Sequence, residues 1–171
     1  RPESTAETLA GGWLHTGDIG ELSDEGYLTI TDRKKDLIVT SGGKKIAPQP
    51  LENLLKMDPL VSEAVLIGEQ RKFPAALLVP DFARLEARIE AMKLRAASRE
   101  ELVRHPEVLR LYQDVLDRLN GSLAQFERVK RFALVPTEFT MERGELTPTM
   151  KVRRQVVEQR WRPLIDTIYA S

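Results

Sequence analysis

Asp32-Arg33-Lys34-Lys35-Asp36-Leu37-Ile38-Val39-Thr40-Ser41-Gly42-Gly43-Lys44-Lys45-Ile46-Ala47-Pro48 is the stretch on which the reading of this chain turns. It opens on a charged cluster. Leu37 to Val39 follow as a short apolar run of the kind that becomes a buried strand. Ser41-Gly42-Gly43 end the run, where a backbone with little side chain can approach a ligand and offer its N–H groups. Pro48 and Pro50 then stand where proline opens a first helical turn. Lys44 after two glycines has the look of a phosphate loop. The Walker pattern, however, needs a leading glycine ahead of that pair and a Ser or Thr after the lysine. The chain has apolar residues and Lys45 in those places, so a P-loop is excluded.

Upstream of this stretch the pattern is that of a hairpin. Ile19 to Leu22 and Tyr27 to Ile30 flank Ser23-Asp24-Glu25-Gly26, with Gly26 suited to the left-handed position of a short turn. Residues 1–10 are polar, and Pro2 to Thr5 read as a loop or cap. Downstream, Leu51 to Met57 read as a short helix stopped by Asp58-Pro59. Glu63 to Gly68 and Ala75 to Val79 are apolar runs, expected to be neighbouring strands of a mostly buried sheet. From Phe82 to Leu123 the period is helical: Leu85, Ile89 and Met92 mark one face, and Val108, Tyr112, Val115, Leu119 and Leu123 another. Val129 to Val135 returns to strand character. A turn-rich loop over Glu142 to Met150 leads to a final helix over Lys151 to Trp161, with Pro163 as its kink or break. The expected fold is α+β, a small sheet covered by helices and preceded by a β-hairpin.

Composition narrows the function classes. In 171 residues Lys+Arg and Asp+Glu both number 26, so no basic excess points to nucleic acid. Cysteine is absent, which removes disulfides and thiolate metal sites, and two histidines do not make a metal centre. No metal ligand set is assigned. No apolar run approaches the roughly 20 residues of a membrane span. Beginning at Arg1, the chain reads as a piece of a longer cytoplasmic protein.

Two further segments give the central stretch its meaning. They are Trp13-Leu14-His15-Thr16-Gly17-Asp18 and Gly144-Glu145-Leu146-Thr147-Pro148-Thr149-Met150-Lys151. In this order the three resemble the closing part of the AMP-forming acyl-CoA synthetases, within the adenylate-forming superfamily. The long-chain fatty-acid branch is the most similar, on Asp32 to Leu37 and on Leu146 to Lys151. The resemblance implies that residues 1–32 are terminal strands of a large AMP-binding domain and that 33–171 are the mobile C-terminal lid domain. It also implies that the phosphate loop, the acyl pocket and the Mg²⁺ site belong to that large domain, which is the main partner expected for this chain.

The implied reaction activates a fatty acid with ATP to acyl-AMP and passes the acyl group to CoA. The alternatives are an acyl-AMP ligase that delivers to a carrier protein and a non-catalytic interaction module that keeps the fold. By resemblance, Asp18 binds the ribose hydroxyls of ATP or AMP, a task suited to a carboxylate with two accepting oxygens. Its plain structural reading is a turn aspartate. Arg33 reaches the ribose and phosphate region, where an always-charged planar donor serves; the plain alternative is an ion pair with Asp32 or Asp36. Lys35 is the hinge residue, and many relatives carry aspartate there. Ser41, Gly42 and Gly43 line the pantetheine tunnel for CoA, or else form only a turn. Lys44 and Lys45 either attract CoA phosphates or form a solvated charge pair. His15 is given no role. Lys151 contacts the acyl carboxylate and α-phosphate during adenylation, or else is a helix-start lysine; most relatives have glycine just before it, where this chain has Met150. The isolated chain is expected to be inactive. Residues 13–30, cut from their core, are expected to be disordered or self-associated. The full-length enzyme is expected in the cytoplasm, with peripheral membrane contact open.

Overall fold

The computed structural model describes residues 1–170. In chain order the elements are α1 (Pro2–Thr8), β1 (Asp18–Leu22), β2 (Leu28–Arg33), β3 (Ile38–Val39), β4 (Lys45–Ile46), α2 (Pro48–Lys56), β5 (Val61–Ile67), β6 (Ala75–Pro80), α3 (Phe82–Ala91), α4 (Arg99–Leu102), α5 (Pro106–Asn120), β7 (Arg131–Leu134), α6 (Arg154–Arg160) and α7 (Arg162–Tyr169). The core is centred on β6. Every residue of that strand is buried, because β5 pairs with it antiparallel on one side and β7 parallel on the other while helices cover the sheet. The parallel step from β6 to β7 needs a long crossover, which α3, α4 and α5 supply.

Helix α2 packs on β5 and against α5, and α7 packs on β7. Tyr112, fully buried on α5, satisfies its phenol by donating to the Leu60 carbonyl at 2.7 Å. That burial raises its pKa above the usual phenol range. The outer edge of β5 is closed by side chains. Glu52 of α2 accepts from the Leu66 N–H at 2.7 Å, and Arg154 of α6 donates to the Leu66 carbonyl at 2.5 Å. The two side chains pair with each other at 2.7 Å, so a buried charge is matched where a further strand would otherwise add.

The small sheet covered by helices is as expected, but three local expectations need correcting. Pro2 to Thr8 form a helix, not a loop; it has no buried residue, so no apolar period announced it. The helical stretch from Phe82 is broken twice. Lys93, at φ 57°, ends α3, and Pro106 opens α5 at its first position. The last helix starts at Arg154, not Lys151, and Pro163 lies in the first turn of a second helix, α7.

Strands β1 and β2 make a two-stranded hairpin with a register from Asp18↔Arg33 to Leu22↔Leu28 and Gly26 at φ 86° in its turn. Of the two outcomes expected for residues 13–30, disorder or self-association, disorder is not what is found. The apolar set is exposed nonetheless, with Trp13 at 77% and Leu28 at 66%.

Candidate functional site

The first cluster is built by the hairpin. Asp18 starts β1 and Arg33 ends β2, and their cross-strand register brings Arg33 Nε to 3.1 Å from Asp18 Oδ1. Arg33 thus pairs with neither Asp32 nor Asp36. Asp18 Oδ2 has no partner among the described residues, and the arginine side chain is 58% exposed. A carboxylate with one oxygen unused stands beside a planar cation, an arrangement that can meet a diol and an anion together.

Asp32, one residue before Arg33, is buried and faces the other way. Its Oδ1 accepts from the Arg33 N–H at 2.7 Å and its Oδ2 from the Gln49 N–H at 3.1 Å. Pro48 and Pro50 bring no N–H to the first turn of α2, so Gln49 carries the orphan donor between them. Asp32 satisfies it from β2. Between these two anchors Lys34 to Asp36 form an exposed 3₁₀ turn, with Lys35 at its middle. The Lys34 N–H donates to the Gly17 carbonyl at 2.8 Å. A single 3₁₀ turn held at both ends is a short segment in which torsions can change without loss of core.

Ser41, Gly42 and Gly43 form the exposed tip between β3 and β4. The expectation that this tip offers its N–H groups outward needs correcting at two of its three residues. Ser41 N–H donates to the Arg71 carbonyl at 2.9 Å and Gly43 N–H to the Thr40 carbonyl at 2.8 Å. What the tip does offer is lack of bulk: a Cβ on Gly43 would meet nothing within 4 Å, yet its φ of 74° excludes most other residues. Lys45 is exposed, and the Lys44 ammonium lies 5.8 Å from the centroid of the Phe126 ring.

Lys151 lies in a narrow antiparallel turn closed by the Leu146–Val152 bridge. Thr147 N–H donates to the Lys151 carbonyl at 2.8 Å, and Lys151 N–H donates to Thr147 Oγ1 at 3.0 Å. The side chain is exposed and enters no ion pair among the described residues. Met150 has φ 60°, the left-handed region that favours glycine. No hydrogen bond or ion pair links Lys151 to the Asp18–Arg33 pair or to the Ser41–Gly43 tip among the described residues. His15, given no role, is exposed, and its Nε2 lies 3.1 Å from the Ala10 carbonyl.

Sequence reasoning passed over Glu145 as an actor. It is 0% exposed and accepts three hydrogen bonds, from Thr140 N–H and Arg143 Nε on Oε2 and from Trp161 Nε1 on Oε1, with Arg160 Nε in an ion pair 3.3 Å from Oε1. Its place two residues after Arg143 in a polar loop gave no sign of burial.

The family model described as the AMP-binding enzyme C-terminal domain matches residues 35–171. Among curated proteins, the long-chain-fatty-acid–CoA ligase FadD15 of Mycobacterium tuberculosis is 38% identical over 168 residues, covering 98% of this chain and 28% of that protein. A rat long-chain-fatty-acid–CoA ligase, ACSBG1, is 35% identical over 92% of this chain and 24% of its own length. Of solved structures, the A domain of a carboxylic acid reductase from Segniliparus rugosus, in complex with AMP and a co-purified carboxylic acid, superposes with a TM-score of 0.77. It shares 26% identity over 99% of this chain and 25% of its own. A Mycobacterium tuberculosis fatty acyl CoA synthetase gives a TM-score of 0.55 at 27% identity, over 96% of this chain and 27% of its own. The chain thus spans about a quarter of the proteins it matches.

Proposed function

This chain belongs to the AMP-binding enzyme C-terminal domain family, and from that membership we propose that it is the closing part of a long-chain fatty-acid–CoA ligase. In this reading ATP and a fatty acid give acyl-AMP and pyrophosphate, and the CoA thiol then attacks the acyl-AMP carbonyl and displaces AMP. The protein acts in the cytoplasm, with peripheral membrane contact open; among the described residues no helix is long and apolar enough to cross a membrane.

The observation that carries the proposal is the presentation of Lys151. Its ammonium is exposed and, among the described residues, unpaired, on a turn held by backbone and threonine hydrogen bonds. A cation carried on a held backbone meets the charge that moves from the attacking carboxylate to the α-phosphate oxygens. Asp18 and Arg33 supply a paired carboxylate and guanidinium for ribose and phosphate. The Ser41–Gly43 tip supplies a wall without bulk for the pantetheine arm. Lys35 sits in the 3₁₀ turn about which residues 33–171 swing against 1–32 and the rest of the enzyme. The family match begins at Lys35, which supports that boundary. Mg²⁺ would neutralise phosphate charge when bound. Among the described residues no group of three or more His, Cys, Asp and Glu side chains could hold a metal ion.

The test separates the half-reactions in the ligase that carries this chain. Lys151→Ala is expected to slow acyl-AMP formation by at least about a hundredfold, the loss typical of one transition-state donor. Conversion of supplied acyl-AMP and CoA to acyl-CoA should stay near the parent rate. Equal loss in both single-turnover assays, or intact adenylation, overturns the role given to Lys151. A parent protein that releases no pyrophosphate with any fatty acid overturns the ligase reading in favour of a non-catalytic module.

A further inference from the structure

We propose that Glu145 is the positioning residue for Lys151: a buried carboxylate that anchors the base of the Lys151 turn to the junction of α6 and α7. The inference rests on the adenylation role proposed for Lys151.

The geometry runs from base to tip. Glu145 and Arg153 stand opposite each other at the base, with Arg153 N–H donating to the Glu145 carbonyl at 2.8 Å. The Leu146–Val152 bridge comes next, then the pairing of Thr147 with Lys151. Where the Glu145 side chain goes, the base of the turn goes too. That side chain is completely buried, and both oxygens are engaged. Oε2 takes Thr140 N–H at 3.1 Å and Arg143 Nε at 2.9 Å, which fixes the start of the loop. Oε1 takes Trp161 Nε1 at 3.2 Å and lies 3.3 Å from Arg160 Nε, which fixes the loop to the helix junction. Arg143 is held in turn by the Glu138 carbonyl.

A buried carboxylate that accepts three hydrogen bonds and faces the Arg160 guanidinium as an ion pair has one low-energy placement, because any shift leaves a charge or a donor unpaired. Lys151 itself touches none of these groups. Its ammonium is at the end of a long flexible stem, so its aim depends on where the turn leaves its Cα. An error of about 1 Å at such a position can cost on the order of a hundredfold in rate. Glu145 therefore acts on the reaction through Lys151, and only in the step that uses Lys151.

Glu145→Gln keeps the shape but turns one accepting oxygen into a donor that faces donors. Trp161→Phe is the second probe; it removes the indole N–H together with part of the ring's bulk and leaves the carboxylate with Thr140, Arg143 and Arg160. Both are made in the ligase that carries this chain and compared with Lys151→Ala in the two single-turnover assays. The expected result for Glu145→Gln is a fall in adenylation of about tenfold or more with KM for ATP little changed. Thioester formation from supplied acyl-AMP should stay within about twofold, since the turn has no part in that step. Trp161→Phe should show the same selectivity with a smaller loss, and keeps the question answerable should Glu145→Gln fail to fold. Glu145→Gln combined with Lys151→Ala should be no slower than Lys151→Ala alone, as for residues acting as a unit. Normal adenylation in Trp161→Phe and Glu145→Gln while Lys151→Ala is slow overturns the positioning role and leaves the ligase reading standing. So does a loss shared by both half-reactions, or additivity in the double variant. Normal adenylation in Lys151→Ala itself overturns the reading on which the inference rests.

Discussion

At the scale of single residues, Met150 is where this chain departs from the resemblance, and the backbone explains the departure. Its φ of 60° is one that glycine adopts at little cost and that other L-residues adopt at roughly 1–2 kcal/mol. The side chain is 60% exposed, so it loses little when removed. Met150→Gly is therefore expected to leave stability unchanged or raise it by up to about 1 kcal/mol, while a branched Met150→Val loses about that much. Urea denaturation of the three proteins checks this. A clear destabilisation by glycine means that Met150 packs in a way its exposure denies. Met150 also marks how far the site was legible. Asp18, Arg33 and Lys151 are picked out by the resemblance of the short segments in which they stand. Their surroundings are not. The Asp18–Arg33 pair spans a hairpin register, and the partners of Glu145 reach to Trp161, sixteen positions on. Neither a period nor a local motif records such a distance.

At the scale of elements, what the sequence hid has the same cause. The buried runs of β5 and β6 and the apolar stripe of α5 were legible because a core imposes a period. Helix α1 was not, since none of its residues is buried. The start of α6 was misplaced because Lys151 to Arg153 are tied by the bridge to Leu146, a tertiary pairing that overrides local helix preference. Helix α2 shows the reverse case, in which two prolines mark the start and a residue from another element completes it. Asp32 accepts the Gln49 N–H, the orphan left between Pro48 and Pro50, and so joins β2 to α2 across the Lys35 turn. Asp32→Ala should cost roughly 1 kcal/mol, the usual loss of a helix cap. It should also speed hydrogen exchange at Gln49, with exchange in the β5–β6 ladder changed only as far as global stability falls. Asp32→Asn keeps one accepting oxygen but turns the other into a donor facing an N–H, so it should lose less than the alanine variant without matching the parent. Unchanged exchange at Gln49 in the alanine variant, or equal loss in both variants, would show that the bond does not hold the helix start.

At the scale of the whole molecule, exposed apolar surface is unevenly spread. Among the described residues, Leu9, Trp13, Leu14, Leu22, Tyr27, Leu28 and Ile30 are exposed at 54–77% and all lie within the first thirty positions. The rest of the described chain buries its large apolar residues in one continuous core, with scattered exceptions such as Met57 and Phe126. A two-stranded hairpin is marginal by itself in water, and this one pairs with no other strand among the described residues. It presents apolar side chains and two open edges, both of which invite a partner. The formal net charge of zero adds no general repulsion to keep copies apart. In the proposed ligase that partner is the large AMP-binding domain. For this chain alone the available partner is a second copy. The chain is therefore expected to self-associate through residues 13–30 in the micromolar range typical of modest apolar contacts, on the order of −8 kcal/mol. Analytical ultracentrifugation over a concentration series measures it. Leu28→Lys with Ile30→Lys adds charge to the exposed strand without touching the β5–β6–β7 core, and should restore the monomer with little change in core stability. A chain that stays monomeric at high concentration, or a double variant that associates as the parent does, would show that this surface does not drive the assembly.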